Sequence, residues 1–406
     1  MRILVISSDT YPPTRVDVTV LFGAELAGRG HRIDWILQSE AACPRDYETD
    51  WKGGRVWVGA TDLGGSLLRR IRKHVLGVAN DLRLFGRVRR GGYDAVEVKD
   101  KFLAGIFAMI AARLNRIKFI YWLSYPYPEH YLHCARDGSA RYPWLYVLRG
   151  LSFKWLLYRL LLPAADHVFV QSEQMLRDVA AQGIPADKMT AVPMGVDAAL
   201  SAAADLSLRR TLLPPGAPCV LYLGTLDKVR RLDFLIRSFA QVREALPEAR
   251  LYLVGGGVDP SDEHLLESEV ARLGLGAAVV LVGRLPQTEA LRYVQEADVC
   301  VSPFHPTPVL RSTSPTKLVE YMAMGKPVVA NDHPEQKRVI DESGAGRCVP
   351  YEEGDFARAI VELLEDPEAA RLMGRRGRAY VLERRSYSVI ADRVEQTLSS
   401  VVQAPA

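Results

Sequence analysis

Two residues near the middle of the C-terminal half could hold an anion and a sugar. Lys317 and Glu320 stand three apart, so on a helix they share one face. Ser314 suits a helix N-cap and Pro315 the first helical position. Gly325 and Pro327 end the run. The pattern predicts a helix over 315–324, roughly 15 Å long. A cation in a first turn opposes the helix dipole by about 0.3–1 kcal/mol. Lys317 makes sense there if an anion rests on the free amides of Thr316 and Lys317. A carboxylate at Glu320 could accept sugar hydroxyls, at roughly 1.5–3 kcal/mol per charged hydrogen bond. A plain Lys–Glu pair on a solvated face reads the same in this stretch.

A second cluster precedes it. An apolar strand over 219–224 ends in Gly224, and Thr225, Lys228, Arg230 and Arg231 lead into a helix over 232–246. A basic loop between a strand end and a helix start is where a phosphate sits in a parallel α/β domain. A solvated basic loop is the alternative. In the first half, Glu97, Lys99, Asp100, Ser124, Tyr125, Tyr127, Glu129 and His130 fall at or just past strand ends, where ligand crevices form. His130, His133 and Cys134 have ligand-like spacing, but no partner pair accompanies them, and no Asp-x-Asp occurs in the chain. No metal is expected.

The elements around these residues alternate. Strands over 2–7, 32–37, 55–58, 94–100 and 118–123 are separated by helical patterns over 16–28 and 101–115. The second half repeats the alternation with strands over 251–254, 278–282 and 328–330. This is α/β architecture with parallel sheets. At 406 residues, 48% apolar and 25% charged, the chain suits two soluble domains. No apolar run approaches the roughly 18–20 residues a membrane span needs. Five scattered cysteines without CxxC spacing suggest reduced thiols and a cytosolic site.

Charge is uneven. Residues 1–195 carry 27 Lys+Arg against 19 Asp+Glu, and the remainder 25 against 29. A basic first half suggests an anionic partner, with nucleic acid disfavoured because no binding motif accompanies the charge. Over 67–90, Leu67, Leu68, Ile71, Val75, Val78, Leu82 and Phe85 recur at helical spacing among eight basic residues. Either a membrane surface or a charged outer face of a domain helix fits. Residues 142–162, rich in Trp, Tyr and Leu, fit a lipid-touching helix or a partly buried one equally.

The run Ser314-Pro315-Thr316-Lys317-Leu318-Val319-Glu320-Tyr321-Met322-Ala323, with Gly325 and Pro327-Val328-Val329, resembles the donor-site helix of family 4 glycosyltransferases of group 1 type. The resemblance continues through Arg29-Gly30-His31 and Gly195-Val196-Asp197. It implies a GT-B fold: two Rossmann-like parallel-sheet domains facing across a cleft. The implied bounds are 1–199 for the acceptor domain, 200–217 for a linker with a short helix and 218–385 for the nucleotide-sugar domain. A C-terminal helix, 386–406, crosses back to the first domain.

The resemblance further implies that Glu320 grips the ribose, that Arg230 and Lys317 hold the diphosphate leaving group, and that the backbone near Leu285 receives the base. Gly224, Thr225, Arg231, Ser312, Ser314 and Thr316 complete the donor side. Arg15, Asp17, Lys99, Ser124, Glu129 and His130 form the acceptor side, although Arg15 and Asp17 also fit a surface pair at a helix start. Several positions depart from the family: Pro13-Thr14 replaces a Gly-Gly pair usual in the first loop, and Thr225 stands where a second phosphate-holding Arg is usual, with Lys228 or Arg231 placed to compensate. Ser312 replaces a Glu usual near the donor sugar, and Ser124 replaces a His usual near the reaction centre.

The implied activity is retaining transfer of a hexosyl unit from a nucleotide-diphosphate sugar. The acceptor would be a glycan or a lipid-linked, polyprenyl-phosphate-type acceptor, in cell-surface polysaccharide or glycoconjugate synthesis. The sugar nucleotide is a co-substrate, and no cofactor is expected. The expected location is cytoplasmic, on the inner face of the cell membrane where residues 67–90 would touch it. A nucleotide-sugar epimerase or a non-catalytic binder of the same fold are the alternatives.

Overall fold

The computed structural model describes residues 1–64, 66–198, 210–257 and 259–404, and of Leu67 the backbone only. Two compact units divide the chain: Met1–Pro193 with Tyr387–Ala406, and Met194–Ser386.

The first unit is built on an eight-stranded sheet. Its strands are β1 (Arg2–Tyr11), β2 (Arg32–Ser39), β3 (Tyr47–Trp51), β4 (Gly54–Gly59), β5 (Ala95–Lys99), β6 (Lys118–Leu123), β7 (His167–Val170) and β8 (Met189–Ala191). Their order is β3-β4-β2-β1-β5-β6-β7-β8, and only the β3–β4 pair is antiparallel. Ile3, Leu4, Val5 and Ile6 are all buried. Such an unbroken apolar run is the mark of a parallel strand covered on both faces.

Helices Leu84–Gly91 and Phe102–Asn115 and the turns Leu157–Leu161 and Leu162–Ala164 cover one face. The other is covered by Asp17–Leu26 and by the last helix, Tyr387–Gln403. Asp17–Leu26 is wound wide, as a π-helix. The last helix inserts Ile390, Val394 and Leu398, which repeat every fourth residue. It is also pinned by charge: Arg29 Nη1 meets Asp392 at 2.6 Å and Glu395 at 3.0 Å, and His31 Nε2 meets Glu395 at 2.7 Å.

Several expectations change here. β1 continues to Tyr11, well past the expected residue 7, and β3 forms a hairpin with β4 that the pattern did not suggest. Glu97 lies inside β5 and is fully buried, so it is not a crevice residue. The basic stretch makes two helices, Leu67–Leu82 and Leu84–Gly91. Leu84 and Val88 of the second are buried. The first buries none of its described apolar side chains, and Leu68, Ile71, Val75 and Leu82 are exposed. Asn80 and Asp81 of the same helix are buried, and Asn80 donates to Leu37 C=O of β2 at 2.9 Å, so the helix packs on its own unit and carries an exposed apolar and basic outer face.

The second unit holds six parallel strands: β9 (Cys219–Leu223), β10 (Arg250–Val254), β11 (Val279–Gly283), β12 (Val299–Ser302), β13 (Val328–Asn331) and β14 (Gly346–Val349). The order β11-β10-β9-β12-β13-β14 reverses direction at β9. The crevice at the carboxyl ends of β9 and β12 is where such a sheet binds ligands. Most of the expected linker, with its short helix, lies outside the described residues. Its end is not loose: Glu296 accepts the N–H groups of Thr211, Leu212 and Leu213 at 2.7–2.9 Å.

Candidate functional site

The reversal point gathers the basic candidates. β9 ends at Leu223, and Gly224 follows with φ +150°, a conformation that side chains rarely adopt. A Cβ on Gly224 would stand 3.0 Å from Lys317 Nζ. One on Gly255, at the end of β10, would strike the Gly224 carbonyl oxygen at 1.9 Å. Two strand ends and a lysine therefore converge where only glycine fits.

The helix carrying Lys317 is Thr316–Ala323. It starts one residue later than expected, because Pro315 stays extended at φ −70°, ψ 108°. That displaces Ser314 from the capping position, and its Oγ accepts the Met194 N–H at 3.0 Å instead. No side chain caps the helix. Its first-turn amides are the orphan donors every helix start leaves. Tyr321 locks the helix to β9, since its hydroxyl accepts from Leu223 N–H at 2.7 Å and donates to Leu223 C=O at 3.2 Å.

Lys317 reaches back over the strand end. Its Nζ donates to Tyr222 Oη at 2.6 Å and lies 3.9 Å from the ring centroid. Tyr222 Oη in turn donates to the Thr225 carbonyl at 3.1 Å. Phe304, just past β12, is approached by both cations: Lys317 Nζ at 5.5 Å and Arg230 Cζ at 5.7 Å. Arg230 closes a short turn, Lys228–Arg230, that Asp227 caps. Burial, and then the Arg230 charge, push the Lys317 ammonium well below its ordinary pKa. Two cations within 6 Å of one aromatic ring, beside an uncapped helix start, make an arrangement electrostatically complementary to a multiply charged anion.

Glu320 lies one turn on. Burial pushes its carboxyl up to about 7, against the pull of Lys317 and a hydrogen bond from Gln287. Gln287 opens a helix just after Leu285, which packs on the core. Arg231 is not free to join this group as it stands: in a left-handed conformation (φ +52°), its guanidinium forks onto Asp233 with both bonds at 3.1 Å. Ser312 is buried in the Leu310–Ser312 turn. The loop from Phe304 onward is held by Asn331, which bonds Phe304 N–H at 2.6 Å and C=O at 2.9 Å. His333 bonds Leu310 C=O at 2.8 Å. Tyr222, Gln287, Phe304 and Tyr321 stand beside the candidates without having been named among them. Tyr222 and Tyr321 carried a signal, one as an aromatic two residues before the strand-end glycine and the other inside the helix motif.

The first unit gathers four of its six candidates. Lys99, fully buried at the end of β5, donates to Asp17 at 2.8 Å and Asp9 at 3.2 Å. Arg15 forks onto Asp17 at 2.9 and 3.0 Å and reaches Ser124 Oγ at 3.4 Å. Asp17 is only 3% exposed, so the surface-pair reading of Arg15 and Asp17 is overturned. Burial alone would raise its carboxyl, but Lys99 and Arg15 outweigh that and hold it at about 2. Ser124 is fixed by Asp100, which accepts both its N–H, at 2.9 Å, and its hydroxyl. Glu129 and His130 stand apart on the Tyr127–Arg136 helix, paired with Tyr158 at 3.2 Å and Tyr125 at 3.1 Å.

Comparison with known proteins follows the same division. Residues 217–366 match the model described as "Glycosyl transferases group 1", and residues 17–195 the "Glycosyl transferase 4-like domain". A D-inositol 3-phosphate glycosyltransferase of Catenulispora acidiphila is 27% identical, over 50% of this chain and 49% of its own length. A phosphatidyl-myo-inositol mannosyltransferase of Mycolicibacterium smegmatis is 29% identical, over 44% and 43%. The chain thus spans about half the length of the curated relatives it matches. Among solved structures, sucrose-phosphate synthase from Thermosynechococcus elongatus superposes with TM-score 0.74 at 21% identity, covering 99% of both chains. Anabaena HepE in complex with UDP gives 0.69 at 18%, covering 98% of this chain and 100% of that one.

Proposed function

For this chain, which belongs to the family 4 glycosyltransferases of group 1 type and has their GT-B fold, we propose retaining transfer of a hexosyl unit from a nucleotide-diphosphate sugar. The supporting observation is the pair Arg230 and Lys317 over Phe304, beside the uncapped start of Thr316–Ala323. In the transfer, the bond from the sugar's anomeric carbon to the diphosphate oxygen breaks, and its electron pair leaves with that oxygen. The acceptor oxygen bonds to the same carbon and gives up its proton to the departing diphosphate. Charge grows on the diphosphate, and preorganised cations and amides stabilise it most where water is excluded. Arg230, Lys317 and the amides of Thr316 and Lys317 take that role. Glu320 receives the ribose hydroxyls.

HepE, solved with UDP and with UDP-glucose, supports a nucleotide-sugar donor. The relative named for phosphatidyl-inositol mannosyl transfer supports a lipid-linked glycan acceptor. The acceptor side is assigned to the Arg15–Asp17–Lys99–Ser124 network, with Glu129 and His130 near it in sequence. Among the described residues no helix is long and apolar enough to cross a membrane. The proposal places the protein in the cytoplasm, with residues 67–90 against an anionic membrane surface.

Differential scanning against UDP-, GDP- and ADP-sugars tests the donor. Stabilisation by one nucleotide class is expected, growing with ligand concentration. Arg230→Ala and Glu320→Ala should each impair donor use. Unchanged donor KM and kcat in both would sink the site assignment. Product analysis without acceptor separates transfer from epimerisation.

A further inference from the structure

We infer that the Pro143–Leu156 helix is an interfacial membrane anchor, lying in the headgroup region of an anionic bilayer with Trp144, Leu148, Leu151 and Trp155 inserted. The inference deepens the proposed membrane contact of residues 67–90 and rests on that reading only for its basic flank.

The four side chains stand at offsets of four, seven and eleven, so they form one stripe. They are 67%, 58%, 54% and 63% exposed, and Leu145 and Val147 beside them are exposed too. The stripe is not a core face awaiting a neighbour within its own unit, because the helix is already held from the opposite side. Gly150 is buried where a Cβ would stand 2.8 Å from Leu132 carbons. Phe153 stacks on Phe102 at 4.3 Å.

The neighbouring helices repeat the arrangement. Phe102–Asn115 exposes Leu103, Ile110 and Leu114, again along one stripe. Leu67–Leu82 packs against Phe102–Asn115, joined by the Lys101–Asp81 ion pair, and exposes Leu68, Ile71, Val75 and Leu82. Of the 22 large apolar side chains exposed among the described residues, 13 lie on these three helices. Scattered exposure is normal, but a concentration of this kind marks a contact surface.

Charge chooses the occupant. The three helices carry seven Lys+Arg and a single acid, Asp81, which is buried and paired to Lys101. Residues 138–165 contain no Asp or Glu but hold Arg141, Arg149, Lys154 and Arg159. A second copy of the chain seated here would press cations against cations. Anionic headgroups complement them, and Trp side chains favour the membrane–water interface. Trp144 and Trp155, about 16 Å apart along the axis, would sit at similar depth if the helix lies flat.

The test uses the full chain and vesicles of phosphatidylcholine with about one-third phosphatidylglycerol. Wild type should sediment with them. Brominated lipid should quench the part of its fluorescence that Trp144→Phe/Trp155→Phe removes. Trp144→Ser/Trp155→Ser should weaken binding at least tenfold, while its thermal unfolding and its stabilisation by nucleotide sugar stay as in wild type. Binding that survives this change but is lost on converting Arg69, Arg70, Arg72 and Lys73 to Glu keeps the electrostatic contact and overturns the anchor. The reverse outcome keeps the anchor and overturns the contact through 67–90. Dimers seen by ultracentrifugation without vesicles, and abolished by the Ser variant, assign the stripe to self-association and overturn the anchor.

Discussion

Lys317 and Glu320 titrate in opposite senses around the ligand. Lys317 is pushed well below its usual range by burial and by Arg230. A diphosphate beside it favours its charged form, so binding takes up a proton and affinity falls as pH rises past the free-state value. Glu320 is raised to about 7 by burial. Ribose hydroxyls donate to its ionised form, so binding releases a proton there and affinity falls as pH drops below about 7. Donor affinity measured by calorimetry should peak between these limits. Glu320→Gln should flatten the acid limb and weaken binding by about 1.5–3 kcal/mol, the range for a hydrogen bond to a charge. An acid limb that persists in Glu320→Gln assigns it to another group.

Glu97 gives a stability prediction at the same scale. It is fully buried on β5, neither oxygen has a hydrogen-bond partner among the described residues, and burial raises it to about 8. Its folded pKa lies above its unfolded one. The native state therefore holds a proton that the unfolded chain has released. Its stabilising contribution is complete below about 4.5, shrinks as pH rises and is gone above about 8. At about 1.4 kcal/mol per unit, the swing is of the order of a few kcal/mol. Urea unfolding of Glu97→Gln across pH 5 to about 8.5 should lose that part of the pH slope and be the more stable protein at the alkaline end.

At the scale of the element, the Thr316–Ala323 helix depends on contacts more than on caps. Tyr321 satisfies both backbone groups of Leu223. Tyr321→Phe strands a part-buried donor and acceptor, which costs about 1–3 kcal/mol at most, and frees the helix start to drift from β9. Lower stability and weaker donor binding together are expected. Gly255→Ala should be worse than Gly224→Ala, because its Cβ meets a backbone oxygen at 1.9 Å whereas that of Gly224 meets a lysine tip at 3.0 Å that can move. Denaturant midpoints order the two.

The same helix marks what was legible in the sequence. Its existence, its lysine and its C-terminal glycine followed from local rules. Its start did not, because Pro315 remained extended and a distant N–H, that of Met194, claimed the Ser314 hydroxyl. Long-range claims of this kind leave no periodic trace. The hairpin strand β3 was missed for a related reason: it is a short, mostly polar edge strand whose pairing with β4, not its composition, makes it a strand. Leu67–Leu82 was legible as a helix but not in what it faces. Helical spacing of apolar residues signals a helix, but it does not say that a protein core lies against them. Among the acceptor-side candidates, strand-end position located Lys99 and Ser124. It could not reveal that Asp17 would be buried between two cations.

At the scale of the molecule, the chain returns to where it began. The last helix belongs to the unit formed by Met1–Pro193, although Met194–Ser386 separates them in sequence. Tyr387, Ile390, Ala391, Val394 and Leu398 are buried in the core around β1, β2 and the Asp17–Leu26 helix. Arg29 holds the helix by ion pairs at 2.6 and 3.0 Å, and His31 by a 2.7 Å hydrogen bond to Glu395. The partly exposed ion pairs are worth little, so the apolar contacts carry the attachment. Burying several such side chains contributes about 1.5–3 kcal/mol each for the large ones, as an upper estimate. Ending the chain at Ser386 should therefore lower the melting of the first unit and leave the second near its own midpoint. The second unit keeps Arg230, Lys317 and Glu320, so stabilisation by the matching nucleotide sugar should survive truncation. Calorimetry with and without that ligand reads both units at once. Equal loss of both transitions, or loss of the ligand effect with the helix, contradicts this division of labour.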